Sequence, residues 1–283
     1  MTTNQFVATD EDVNRMTTEL FKANRWDDCE IRSLSNAWVR AVMSQPSKKN
    51  KDEPRPFVYS KSKISEYLDW RKETSITSKM SRHTIKGGVH DGERVFTDLF
   101  GSKNTLYWHG ADTEGRPNLW FYADNVSYDN VVVADRMEAS ALVIQAGLDA
   151  MPPHIYNFNF VVFVDRYSLK AMLLPRLTTE FLKLFLKICP DRLKRCCVVT
   201  DTMGHLLYKL FLRVGPASFM EKTSEVKSRK KASKMLMDMK IFKDEDEVPT
   251  FMGGTLVHDE KITGSLPKMI EEVSAAMESN QSN

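Results

Sequence analysis

Two short runs of uninterrupted apolar residues constrain this chain more than any other feature. Phe160, Val161, Val162, Phe163 and Val164 form the first, ended by Asp165 and Arg166; Cys196, Cys197, Val198, Val199 and Thr200 form the second, ended by Asp201. A strand with one wet face alternates in polarity, so a continuous run predicts a strand buried on both faces. Between the runs, Leu174, Leu177, Phe181, Leu184, Phe185 and Ile188 recur at spacings of three and four, and Pro190 closes the segment. That spacing predicts a helix with one apolar stripe. Strands joined through a helix run parallel, with a right-handed crossover, and the expected fold class is α/β.

The segment after the second run reads HLLYKLFLRV, from His205 to Val214, and Gly215 and Pro216 close it. Leu206, Leu207, Leu210, Phe211 and Val214 share one helical stripe, while Tyr208 and Leu212 lie off it. This is more apolar surface than one packed face uses. Two readings fit: one more core helix, or a lid that turns one side to an apolar ligand. A third short strand is expected before Val226. The basic residues Lys227, Arg229, Lys230, Lys231 and Lys234 follow, several of them on one face of a helix expected over Ser228–Lys240. Such a face is either solvated or docked on anionic lipid headgroups, where each base adds about 1 kcal/mol.

Upstream, Thr9 is an N-cap candidate, with Asp10, Glu11 and Asp12 in the first turn of a helix whose stripe is Met16, Leu20 and Ala23. A second helix is expected from about Asp27, with Ile31, Leu34, Trp38 and Val42 inward, ending before Pro46. The charged, proline-broken stretch SKKNKDEPRP at 47 to 56 reads as an exposed loop, and a third helix covers Ser62 to Glu73. Lys79 to Gly92 reads as a loop and Val95 to Phe100 as a short helix. Thr105–Trp108 and Leu119–Ala123 read as strands around the turn DTEGRP at 112 to 117. Val131 to Leu148 has a helical period through Val133, Met137, Leu142 and Ile144. Beyond Leu256 there is one helical stretch, Pro267 to Met277, and a polar tail.

Several pieces, in this order, resemble the CRAL-TRIO lipid-binding family, which includes phosphatidylinositol transfer proteins and carriers of retinal and tocopherol. They are LFKANRWDD at 20 to 28, YLDWRKETSI at 67 to 76, the DTEGRP turn, Cys-Pro-Asp-Arg-Leu at 189 to 193, and PTFMGGTL at 249 to 256. The family often reads Tyr-Pro-Glu-Arg at the fourth piece and Pro-x-x-Phe-Gly-Gly at the last. The resemblance runs from about Leu20 to Leu256. It implies a mixed sheet floor walled by helices around an apolar lipid pocket, with an amino-terminal helical lobe over 1–80, a lipid-binding domain over 95–256 and a tail over 257–283. On this reading Phe160, Val162, Phe181 and Phe185 line the pocket, and Leu206, Leu207, Leu210 and Phe211 form its gate. Asp191 (Glu in relatives that bind phosphatidylinositol), Ser218 (Thr) and Lys222 (Lys, after a one-residue gap) correspond to headgroup residues. A headgroup arginine of those relatives falls at Asn24, a neutral amide. The resemblance therefore implies that phosphatidylinositol competes with phosphatidylcholine or a smaller apolar ligand rather than dominating. The implied ligand is a phospholipid or another hydrophobic molecule, with no other cofactor, and the partner is a membrane surface visited transiently.

Composition bounds the alternatives. With 283 residues, 42% hydrophobic and 28% charged, the chain can bury a sizeable core, and its net charge of +2 gives no general attraction to nucleic acid. The amino terminus is polar and acidic, so neither a secretion signal nor a membrane span is expected. Cys29, Cys189, Cys196 and Cys197 lack metal-ligand spacing, which favours a reduced, cytoplasmic protein with structural thiols; a monomer is expected. No Gly-x-Ser-x-Gly, Gly-x-Gly-x-x-Gly or phosphate-loop motif occurs. Asp165 and Asp201, each at the end of a buried run, with His205 nearby, carry the one enzyme reading, a hydrolase or metal site. An interaction module whose cavity is filled by its own side chains is the other alternative.

Overall fold

A computed structural model describes residues 7–47, 49–50, 53–77, 105–123, 132–164, 175–200, 205, 208–209, 217–227 and 229–256. The chain begins with four helices, α1 (Asp10–Ala23), α2 (Asp28–Arg32), α3 (Asn36–Met43) and α4 (Phe57–Thr74). Next come β1 (Leu106–Ala111), β2 (Pro117–Tyr122), α5 (Val133–Asp149), β3 (Phe158–Val164), α6 (Pro175–Ile188) and β4 (Leu193–Thr200). It continues through α7 (Ala217–Met220), β5 (Thr223–Val226) and α8 (Arg229–Asp238), and two 3-10 turns follow at Glu245–Glu247 and Thr250–Met252.

The five strands lie in the order β1-β2-β3-β4-β5. A tight turn makes β1 antiparallel to β2, and β2 through β5 are all parallel. The parallel run expected from the two apolar stretches is present, with Phe160 opposite Cys196 and Val162 opposite Val198. Side chains alternate across the sheet. Leu106, Trp108, Leu119, Phe158, Phe160, Cys196 and Val198 join one core with α1 to α6. Tyr107, Trp120, Val161, Phe163, Cys197, Val199 and Val226 join a second core, with Ala232 and Leu236 of α8 and with Ile241, Phe242, Val248 and Met252. Both faces are thus covered, which is why the central strands carry no polar alternation.

Local signals set most boundaries. Thr9 caps α1 in a capping box: its Oγ1 accepts from the Asp12 amide at 3.2 Å, and the Asp12 carboxylate accepts from the Thr9 amide at 2.9 Å. In the DTEGRP turn, the Asp112 carboxylate accepts from the amides of Glu114 and Arg116, and Gly115 takes a φ of 80°. The single helix expected from Asp27 is two. Ser35 takes an extended backbone, accepts from the Trp38 amide at 3.4 Å and donates to the Pro153 carbonyl at 3.4 Å, which starts α3 afresh. Helix α4 begins at Phe57, five residues before the expected start, with Pro56 at its N-cap. The expected elements at 79–92, 95–100 and 267–277 lie outside the described residues.

The amino-terminal helices are seated on the rest of the chain by polar contacts as well as packing. Trp38 donates its indole N–H to the Pro190 carbonyl (3.0 Å), and Tyr67 donates to Gln145 Oε1 of α5 (3.0 Å). Arg71, almost fully buried, pairs with Glu30 of α2 and Asp149 of α5. Burial works against its charge, but Tyr67, Asp149 and Glu30 outweigh that and hold its pKa above the usual value.

Candidate functional site

The face of the sheet that carries α6 presents a wall of phenylalanine rings. Phe160 of β3 stacks on Phe185 of α6 at 5.1 Å between centroids and meets Phe181 at 6.3 Å, and Phe121 of β2 stacks on Phe181 at 5.6 Å. Phe219 of α7 meets Phe185 edge-on at 5.9 Å. Burial grades along this wall: Phe160 and Phe185 are buried, whereas Phe121, Val162, Phe181, Leu184 and Met220 are half-buried. The structure therefore brings together the four wall residues Phe160, Val162, Phe181 and Phe185. Phe121, Phe219 and Met220 are additions that the sequence reading missed, the first because its strand gave no cue to which face it uses.

Leu206, Leu207, Leu210 and Phe211 lie outside the described residues, as do Asp165 and Asp201. Of that segment His205, Tyr208 and Lys209 are described, all three helical. Tyr208 packs against the aromatic core, and its hydroxyl pKa is raised by burial and by Glu225. His205 Nδ1 is 2.6 Å from Glu225 Oε1, which also accepts from the Thr200 hydroxyl at 2.8 Å. Glu225, a buried carboxylate on β5 at the root of this segment, had no sequence signal beyond its place in a short strand.

Of the headgroup residues expected by resemblance, Asp191 and Lys222 lie within electrostatic reach of each other. Asp191 sits in the turn before β4 with a left-handed φ of 58°, and its carboxylate accepts from Arg55 Nη1 at 2.7 Å and Nη2 at 3.4 Å. Lys222 donates to the Leu193 carbonyl at 2.7 Å. Burial pulls the Lys222 pKa down, Asp191 pulls it back up, and Lys194 lowers it further. Ser218 lies in α7 and its side chain is outside the described set. Asn24 ends α1 as a left-handed cap with φ 50°. Arg55 was not foreseen, because it lies in the charged loop that read as merely exposed.

On α8, Lys231 and Lys234 are exposed, as is Lys227 just before it, while Ala232, Ser233 and Leu236 face inward; the side chains of Arg229 and Lys230 are outside the described set. Burial raises the thiol pKa of Cys189, Cys196 and Cys197, the last to about 12, so none is poised as a thiolate. Among the described residues no three His, Cys, Asp or Glu side chains come together as a metal site, and no helix is long and apolar enough to cross a membrane.

Comparison with solved structures finds the same fold in the crystal structure of Sfh5, with a TM-score of 0.57 and 12% identity, over 97% of this chain and 98% of that one. The likeness thus takes in the amino-terminal helices as well as the sheet. A search of curated proteins finds no match. The CRAL/TRIO domain model matches residues 101–254. That segment holds the sheet, the aromatic wall and the turn at Asp191, and is more than half of the chain, which therefore belongs to the CRAL/TRIO domain family.

Proposed function

We propose that this protein holds a phospholipid or similar hydrophobic molecule against the aromatic wall and exchanges it at membranes, as a monomer that visits the bilayer transiently. The observation that carries this reading is the graded exposure of the wall: Phe121, Val162 and Phe181 are half-buried beside the buried rings of Phe160 and Phe185. An acyl chain in water costs about 0.8 kcal/mol per methylene, and an apolar cavity removes that cost. The segment from His205 to Val214 is the gate, apolar on more than one side and rooted by His205 on Glu225. Lys227, Arg229, Lys230, Lys231 and Lys234 then face anionic headgroups while the gate opens. No covalent bond is made or broken.

Replacing both Leu207 and Phe211 by Asp tests the gate. Uptake of a fluorescent lipid should be lost with circular dichroism unchanged; uptake at the wild-type rate assigns the segment to the core. Native mass spectrometry of the purified protein, with lipid extraction, separates a loaded carrier from an interaction module with a filled cavity.

A further inference from the structure

We infer that Glu225 is a positioning residue for the helical segment that starts at His205, seating it on the wall face of the sheet through a contact that tightens when the imidazole is protonated. Its effect on lipid exchange rests on the transfer reading above; the seat itself does not.

Position is the first argument. Glu225 stands opposite Val198 in the register of β4 with β5, and Val198 belongs to the core that holds Phe160 and Phe185. Residues two apart in a strand share a face, so Thr200 and Glu225 both point to the side of the aromatic wall. They lie at the carboxyl ends of parallel strands, where open α/β sheets take their ligands. A carboxylate on an apolar face is costly unless it is paired.

The pairing itself is the second argument. Glu225 Oε1 accepts from the Thr200 hydroxyl at 2.8 Å and lies 2.6 Å from His205 Nδ1. Glu225 Oε2 has Lys227 Nζ at 3.9 Å, from a side chain that is 69% exposed, whereas the Glu225 side chain is 8% exposed. Thr200 and Lys227 belong to the sheet strands and their ends and keep their places if the segment moves. His205 is the partner that the segment itself supplies.

Charge is the third. Nδ1 faces a carboxylate oxygen that already accepts from Thr200, so Nδ1 carries the proton in the neutral ring and Nε2 is the nitrogen that titrates. Protonation turns a neutral hydrogen bond into a charge-assisted one, which is stronger. Two cations oppose it, Lys227 beyond the carboxylate and Lys209 four residues along the segment, but both are exposed and screened by water. The Tyr208 ring stacks on His205 at 6.5 Å, and its hydroxyl, with a raised pKa, brings no charge. The seat is therefore firmer at the acid end of the range in which an imidazole changes charge, about pH 5 to 8.

The test uses the full chain. Histidine NMR should show neutral His205 with its proton on Nδ1. Amide exchange of residues 205–209, corrected for the intrinsic rate, should slow by about fivefold between about pH 7.5 and about pH 5.5, the weight of charging one partner of a hydrogen bond. Glu225→Gln and His205→Asn each keep a hydrogen-bonding side chain and remove one charge, and each should abolish that change. Transfer of fluorescent phosphatidylcholine between phosphatidylcholine vesicles, whose headgroup charge is constant over this range, should slow by a similar factor in the wild type and not in Glu225→Gln. Equal pH dependence of protection in wild type and Glu225→Gln would overturn the inference, as would a neutral His205 protonated on Nε2. If Glu225→Gln does not fold, the same comparison with His205→Asn decides. Protection that responds to pH in a protein that transfers no lipid would remove the transfer reading and leave the seat standing.

Discussion

Gly147 lies on the face of α5 that meets β1, under the indole of Trp108, whose N–H donates to the Val143 carbonyl at 2.8 Å. A Cβ at Gly147 would sit 2.0 Å from Trp108 Cε2. Gly147→Ala should destabilise by about 1–3 kcal/mol through overpacking, seen as a lower urea midpoint with unchanged slope. Asp112 is a second residue with a definite signature. Burial works to raise its pKa, but bonds from Arg116, Asn159 and the Glu114 amide outweigh it and hold the carboxyl below its ordinary value of 3.8. Its contribution is therefore complete above that value and lost as pH falls through the depressed one. Asp112→Asn should cost about 1–3 kcal/mol near neutrality, and urea melts should show the gap to wild type narrowing below about pH 4. Neither contact was legible in the sequence, since Trp108 and Gly147, like Asp112 and Asn159, are far apart in the chain and meet through the tertiary fold.

At the scale of elements, the ends of α1, α6 and the DTEGRP turn were legible because their causes are local: a capping box, a proline, a glycine with positive φ. The division between α2 and α3 was not. Ile31, Leu34, Trp38 and Val42 keep a continuous helical period, but Ser35 leaves it as an N-cap, its hydroxyl accepting from the Trp38 amide while donating to the distant Pro153 carbonyl. Ser35→Ala should cost about 1 kcal/mol, measured as a melting temperature lower by about 2–4 °C. Arg55 teaches the same lesson for the candidate site. A composition of charges and prolines marks 47–56 as surface, yet only the tertiary structure shows which charge returns to Asp191.

For the whole molecule, the seat of the amino-terminal helices on the sheet domain is the feature with the largest stake. Arg71 side-chain exposure is 1%, and its partners Glu30 and Asp149 are 14% and 12% exposed. Arg71→Met leaves two mostly buried carboxylates unpaired and should cost about 3–5 kcal/mol, with loss of stability in chemical denaturation. Its sign separates a structural network from a dispensable one, since exposed pairs such as Lys63–Glu66 should change little on removal. Chelator and reductant should leave the melting temperature unchanged, because the four cysteines are free; a drop with chelator alone would revive a metal reading.

The sequence by itself determined the parallel α/β core, because burial on both faces forces continuous apolar strands and a helix between them forces parallel pairing. It also determined the apolar stripe of α6, whose period points Phe181 and Phe185 to one side, whereas the continuous apolar run of β3 left open which of its residues share that wall. Only the tertiary structure decided what meets across long separations: α8 and residues 241–252 closing the far face, Glu225 under His205, Arg55 at Asp191, and Arg71 between Glu30 and Asp149. The reason is physical. Periodicity and caps are short-range consequences of backbone geometry, whereas a buried charge takes its partner from whatever the packed chain brings within a few ångströms, and nothing local to the charge records that choice.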